Sequence, residues 1–195
     1  MDDAVEFPAF TEDGVLPPGD YALTLADLAA SPLVTGFPDA DSSWDHTWRA
    51  HLVRNLGILV EQLRQVGCDA IVADGSFAED KGHPNDIDGY VECDLRSFVS
   101  GDLERDLNAL DPHKVWTWDP RSRRWDPDSG KAQLPMWFVY RVELYPHFGQ
   151  PSGIVDQFGH QLQFPSAFRL SRRSFSPKGI VRVIAPSRGD IHDSS

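Results

Sequence analysis

The sequence predicts a mixed α/β domain. Three observations lead there. β-type apolar runs and helix-type apolar stripes follow one another along the chain. No linker divides them, and 195 residues suit one core with an added arm. The 41% hydrophobic and 25% charged shares are those of a globular protein in water.

The first 40 residues carry breakers such as Pro17-Pro18-Gly19 and one short helix candidate, 25–30, with Thr24 as N-cap and Asp27 three residues on. They are expected to form an extended arm wrapped on the domain. The clearest helix follows. Ser42 and Ser43 precede it, and Asp45 completes a capping box with Ser42. Trp44, Trp48, Leu52, Leu56, Leu59, Leu63 and Val66 then fall three or four apart as one apolar stripe, and Gly67 stands at its C-terminal end. Packing in the core accounts for both tryptophans.

A strand is expected over 70–74, a turn at Gly75-Ser76, and a second strand over 87–93. The segment 100–110 reads as a helix with Leu103, Leu107 and Leu110 inward. Asp-Pro turns within the aromatic stretch from Val115 suggest a hairpin. The β-rich run 136–148 reads mostly as a central strand, 165–175 as a helix, and 178–184 as a final strand. The organisation is an acidic arm over 1–40, a domain over 41–188 with helices on one side of a mixed sheet, and a flexible tail over 189–195.

The net charge of −12 is uneven. Ten acidic residues and no Lys or Arg lie between Met1 and Trp48, whereas 157–189 holds six basic residues and no acid. Two solvated surfaces account for this asymmetry, or else the basic tail meets an anion such as a phosphate. Overall acidity argues against non-specific DNA binding, which needs a broad cationic footprint. No run is long and apolar enough to span a membrane, and the N-terminus has no secretory pattern, so a cytoplasmic protein is expected. Cys68 and Cys93 flank apolar segments and read as buried thiols.

The chemistry concentrates in "IVADGSFAEDKGHPNDIDGYVEC", Ile71 to Cys93. Walker, G-x-G-x-x-G, H-E-x-x-H and G-x-S-x-G patterns are absent. Residues two apart on a strand share a face, so Asp86 and Asp88 would stand ~7 Å apart with Ile87 pointing inward. Two such carboxylates repel unless a cation lies between them, and all-oxygen ligands suit Mg²⁺ or Mn²⁺. A Gly75-Ser76 turn after a strand can present backbone N–H groups and a hydroxyl to phosphate oxygens.

These residues resemble the signature of the DNA-polymerase-β-like nucleotidyltransferase superfamily: an apolar strand, Gly-Ser, about ten residues, then Asp-apolar-Asp. The wider stretch, with "DGVLPPGDYALTLADL" upstream and "KGIVRV" near the end, also looks like a small uncharacterised bacterial family within it. The resemblance implies a nucleotidyltransferase-like fold and an enzyme moving a nucleoside monophosphate from an NTP, ATP among them, to a hydroxyl acceptor. Asp86, Asp88 and a third acid would hold the metal. Glu143, in the apolar-acid-apolar "VEL", is the candidate, although Asp is commoner there. Glu92, four residues beyond Asp88, is its rival. Gly75 and Ser76 would grip the nucleotide's phosphates, helped by Lys81, Arg172, Arg173 or Lys178, each of which also reads as an ordinary surface residue. His83 reads as a loop histidine. Small members often belong to toxin–antitoxin or defence operons, which implies a protein or tRNA acceptor and a partner protein. A catalytically silent binding or regulatory module is the alternative, and a metal-dependent phosphohydrolase a third.

Overall fold

Side chains that alternate across five short strands build one sheet with two unlike faces. The computed structural model describes residues 7–38 and 43–186. The expected tail and Ser42 of the capping box lie outside them. Strand β1 (Asp20–Leu23) leads to helices α1 (Leu25–Ala30), α2 (Pro32–Thr35) and α3 (His46–Gln65). Next come β2 (Ile71–Asp74), β3 (Ile87–Glu92), α4 (Leu95–Ser100) and α5 (Asp102–Leu110). The hairpin β4 (Arg124–Asp126) and β5 (Lys131–Gln133) precedes α6 (Pro135–Tyr140) and β6 (Val142–His147). A second hairpin, β7 (Pro151–Val155) and β8 (Gln161–Gln163), runs into α7 (Phe164–Ala167), and β9 (Ile180–Val183) closes the chain. The sheet order is β1-β9-β2-β3-β6, with parallel pairs at both edges and antiparallel pairs at the centre. The molecule is therefore a mixed α/β fold.

Period-two alternation sorts the strands. Ile71, Ala73, Ile87, Val91, Val142 and Leu144 face the main core, packed against Leu52, Leu56 and Leu63 of α3. Val72, Tyr90 and Ile180 face the other way, against Phe164 and Phe168 of the α7 region. The larger helical layer thus covers one face, and α7 with the chain around it covers part of the other.

Four expectations are corrected. The head does more than wrap the domain as an extended arm: its β1 pairs with β9 as a sheet edge, and its Leu16, Leu23, Leu28 and Leu33 are buried in the main core. Asp45 itself caps α3, its carboxylate accepting from Trp48 N–H at 2.9 Å. The run 136–148 splits in two. Pro135 starts a helix, Arg141 turns the chain at φ 55°, and only Val142–His147 is strand. The expected 165–175 helix is the single turn α7, preceded by a β7–β8 hairpin that the sequence reading leaves as loop. Thr24 and Asp27 do form the predicted capping box. Gly67 follows α3 at φ 83°. Cys68 is buried, Cys93 half-buried, and both are free thiols. Among the described residues no helix is long and apolar enough to cross a membrane.

Candidate functional site

Strand alternation decides where the acids go. Asp74 ends β2 opposite Asp88 of β3, and Asp88 lies beside Glu143 of β6. All three point from the face away from α3, in one row across three neighbouring strands. Asp86, just before β3, joins them from the side. Gly75 then turns the chain at φ 75°, a region only glycine occupies freely. A Cβ there would stand 2.7 Å from Asp88 Oδ2, so the turn lies directly against that carboxylate.

The row borders a cleft of about 230 Å³. Asp74, Asp86 and Asp88 line it from below, with Gly75 and Ser76 at one side. Lys81, Lys131, Arg172 and Arg173 also line it, and none of these four side chains has an ion-pair partner among the described residues. The Ser76 hydroxyl has no hydrogen-bond partner there either. The structure thus brings Gly75, Ser76, Lys81, Asp86, Asp88, Arg172 and Arg173 to one cavity.

Two predicted residues sit differently. Lys178 is buried, its Nζ 3.1 Å from Asp74 Oδ1 and 3.2 Å from Glu79 Oε1. It lines the wall, but its charge is already balanced there. Glu143 is 2% exposed and does not line the cleft. Its Oε1 accepts from Leu134 N–H at 2.5 Å and lies 3.6 Å from Arg123 Nη1, while Oε2 accepts from the Tyr145 hydroxyl. Glu92 is exposed on the second face near the far end of β3, in a different cavity. His83 Nδ1 donates to Asp45 Oδ2 at 3.0 Å, and the ring stacks on Trp48.

Asp74, Lys131, Ser129 and Gln133 also line the cleft and are missed by the sequence reading. An acid closing an apolar strand, one residue before the turn, is a signal that marks Asp74. Nothing local marks the other three, which the β4–β5 hairpin carries in from far along the chain.

Loss of solvent pushes the Asp88 carboxyl up to about 7, with the charges of Asp86 and Glu143 acting in the same direction and Arg172 and Lys131 opposing. Burial likewise pushes Asp74 up to about 7, against the pull of Lys178. Asp88 makes no hydrogen bond or ion pair with any described residue. Asp86 uses one oxygen, Oδ2, to accept from Trp137 Nε1 at 2.7 Å.

Among the described residues no three His, Cys, Asp or Glu side chains converge into a ready metal cage. The donor chemistry nevertheless fits a hard divalent cation at the Asp86–Asp88 pair: two adjacent carboxylates, one wholly unpartnered and held under repulsion. Glu143 neighbours the pair but has both oxygens engaged.

A family model described as a family of unknown function, DUF6932, matches residues 8–184. No curated protein and no solved structure matches the chain.

Proposed function

This chain belongs to the family of unknown function DUF6932, and we propose that it is a metal-dependent nucleotidyltransferase whose substrate is a nucleoside triphosphate bound in the acidic cleft. One observation carries the reading: an unpartnered Asp88 abuts a glycine-serine turn under four cationic side chains that lack carboxylate partners. An acidic floor beneath a basic rim suits a polyanion that arrives with its own divalent cation. Either charge alone would suit only one of the two.

Asp86 and Asp88 would hold Mg²⁺ or Mn²⁺, which would supply a lowered pKa for the acceptor hydroxyl and positive charge against the leaving group. Ser76 and the backbone N–H groups of its turn bind terminal phosphates, while Lys81, Lys131, Arg172 and Arg173 orient the chain of phosphates. Lys178 holds Asp74 and Glu79 in the cleft wall, and Glu143 positions the strand that carries its neighbours. The acceptor oxygen forms a bond to the α-phosphorus and the bond from that phosphorus to the bridging oxygen breaks. Pyrophosphate departs and the hydroxyl proton passes to solvent. Arg172 and Arg173 line the cleft and are exposed, so a macromolecular acceptor such as a protein or tRNA would meet them on approach.

A second reading is favoured by Glu143. With both oxygens engaged in the fold, the acid row offers two open carboxylates rather than three, which suits a module that binds nucleotide without transferring it.

The test uses an NTP labelled at the α-phosphate, Mg²⁺ and cell extract. Transfer is expected in the parent and is reduced to background in Asp86→Asn and Asp88→Asn, together with loss of Mg²⁺-dependent thermal stabilisation by NTP. Stabilisation without labelled acceptor identifies the silent module. Neither effect in the parent refutes both readings.

A further inference from the structure

Beside the acidic cleft lies a second pocket of about 180 Å³, and Asn85 and Ser129 line both. Its walls include two stacked pairs. His83 lies on Trp48 with ring centroids 5.1 Å apart and planes 9° apart, and the Arg141 guanidinium lies 3.8 Å from the centre of the Trp137 ring. Both pairs are held in place. Trp48 Nε1 donates to Pro84 O at 2.6 Å, Trp137 Nε1 donates to Asp86 Oδ2 at 2.7 Å, and Asp45 fixes the His83 ring.

The polar groups differ in a way that defines the occupant. Arg141 has no carboxylate partner among the described residues, and it sits in left-handed backbone at φ 55°, an uncommon state for a residue with a side chain. Asp128 is exposed, and its carboxylate has no hydrogen-bond partner among the described residues; nor has the Asn85 side chain. One open cation, one open acceptor and one amide, in a pocket lined by stacked aromatic and guanidinium groups, match a planar ring whose edge carries both donors and acceptors. A lone phosphate would be repelled by Asp126 and Asp128. A plain apolar ring would leave Arg141 and Asp128 unsatisfied.

We propose that this pocket seats a nucleobase. The inference rests on the reading of the neighbouring cleft as a triphosphate site. Separately, each cavity is smaller than the ~300 Å³ at which ligand sites usually begin, and joined they reach that class. The base belongs either to the bound NTP or to the end of an RNA acceptor. An apolar pocket of about 270 Å³ on the other side of the cleft, around Leu170 and Phe175, lacks edge-reading groups apart from Arg172 and Ser171 and serves as the control.

The experiment is calorimetric titration of the full chain with Mg²⁺ and tripolyphosphate, with each of ATP, CTP, GTP and UTP, and with a short single-stranded RNA lacking a triphosphate. At least one base-bearing ligand is expected to bind about ten-fold or more tightly than its base-free counterpart. The gain should vanish in Asp128→Ala and in Arg141→Asn, which keeps a residue tolerant of left-handed backbone, while tripolyphosphate affinity stays the same. A gain for an NTP assigns the pocket to the donor's base, and a gain for RNA alone assigns it to the acceptor's. The proposal is overturned if no base-bearing ligand gains, if the gain survives both variants, or if it is lost in Phe175→Ala instead. Failure of tripolyphosphate alone, with RNA still binding through Asp128 and Arg141, removes the triphosphate reading and leaves the base pocket standing.

Discussion

Asp88 carries a charge that the fold does little to relieve. Its ordinary value is 3.8, and in the folded chain it is pushed to about 7 by burial and by Asp86 and Glu143. The folded state therefore binds this proton more tightly than the unfolded state. The stabilisation that follows is complete below the ordinary value and is lost as pH rises through about 7. Asp74, also raised to about 7, acts in the same direction. Removing the charge by Asp88→Asn should therefore raise stability in metal-free buffer near pH 8 by on the order of 1–3 kcal/mol, with the difference shrinking toward pH 4. Thermal melts of parent and variant at both pH values measure this. A variant no more stable than the parent near pH 8 would show that the carboxylate is not under repulsion. The Asp-x-Asp spacing is legible in the sequence because it needs only strand geometry. That Asp74 joins the row is less so, because its partner Lys178 lies over a hundred residues away and only the β2–β9 pairing brings them together.

At the scale of elements, the joint between α6 and β6 differs most from the sequence reading. The run 136–148 is uniformly rich in β-formers, and propensity alone makes it one strand. Pro135 decides otherwise, since a proline at the first helical position is compatible with a helix and its missing N–H costs nothing there. The hairpin β7–β8 escapes for the opposite reason: its strands are short, and Val155 is exposed, so alternation against a core is weak. The long stripe of α3 and the buried runs of β2 and β3 are legible because one face of each meets the core along its whole length. Glu143 belongs to the α6–β6 joint. It satisfies the Leu134 N–H just before α6 and the hydroxyl of Tyr145 on β6. Glu143→Ala strands the buried Leu134 N–H and the part-buried Tyr145 hydroxyl, each worth ~1–3 kcal/mol, so metal-free stability should fall by about 3 kcal/mol. Urea unfolding without divalent cations reads it directly. An unchanged midpoint would mean that Glu143 acts only at a metal.

For the whole molecule, the acidic head and the basic tail segment meet. Asp20 pairs with Arg169, and Asp13 accepts from the Ser176 hydroxyl at 2.6 Å. The uneven charge visible in the sequence is thus partly an internal contact, while Arg172 and Arg173 remain open on the cleft. The head is also structural. Deleting residues 1–35 removes β1 and four buried leucines, Leu16, Leu23, Leu28 and Leu33. At ~2–5 kcal/mol for each large-to-small loss, the four sum to ~8–20 kcal/mol, as large as the whole ~5–15 kcal/mol stability of a typical domain. The truncated chain is expected to be insoluble or unfolded by circular dichroism, and a soluble, cooperatively melting product would show the head to be dispensable. Arg49 extends this coupling to the site. Buried and stacked 3.8 Å from the Trp44 ring centre, its guanidinium donates to the carbonyls of Leu33, Phe77, Glu79 and Lys81. One side chain rooted in the long helix thereby latches the peptide that follows the glycine turn to the head. That bank of the channel is anchored at three points, the carbonyls of Phe77, Glu79 and Lys81. The opposite bank is itself pinned on either side of Arg172 and Arg173 by Arg169, Ser176 and Lys178, so admitting a visitor falls to those two side chains, unpaired among the described residues, and not to the backbone that carries them.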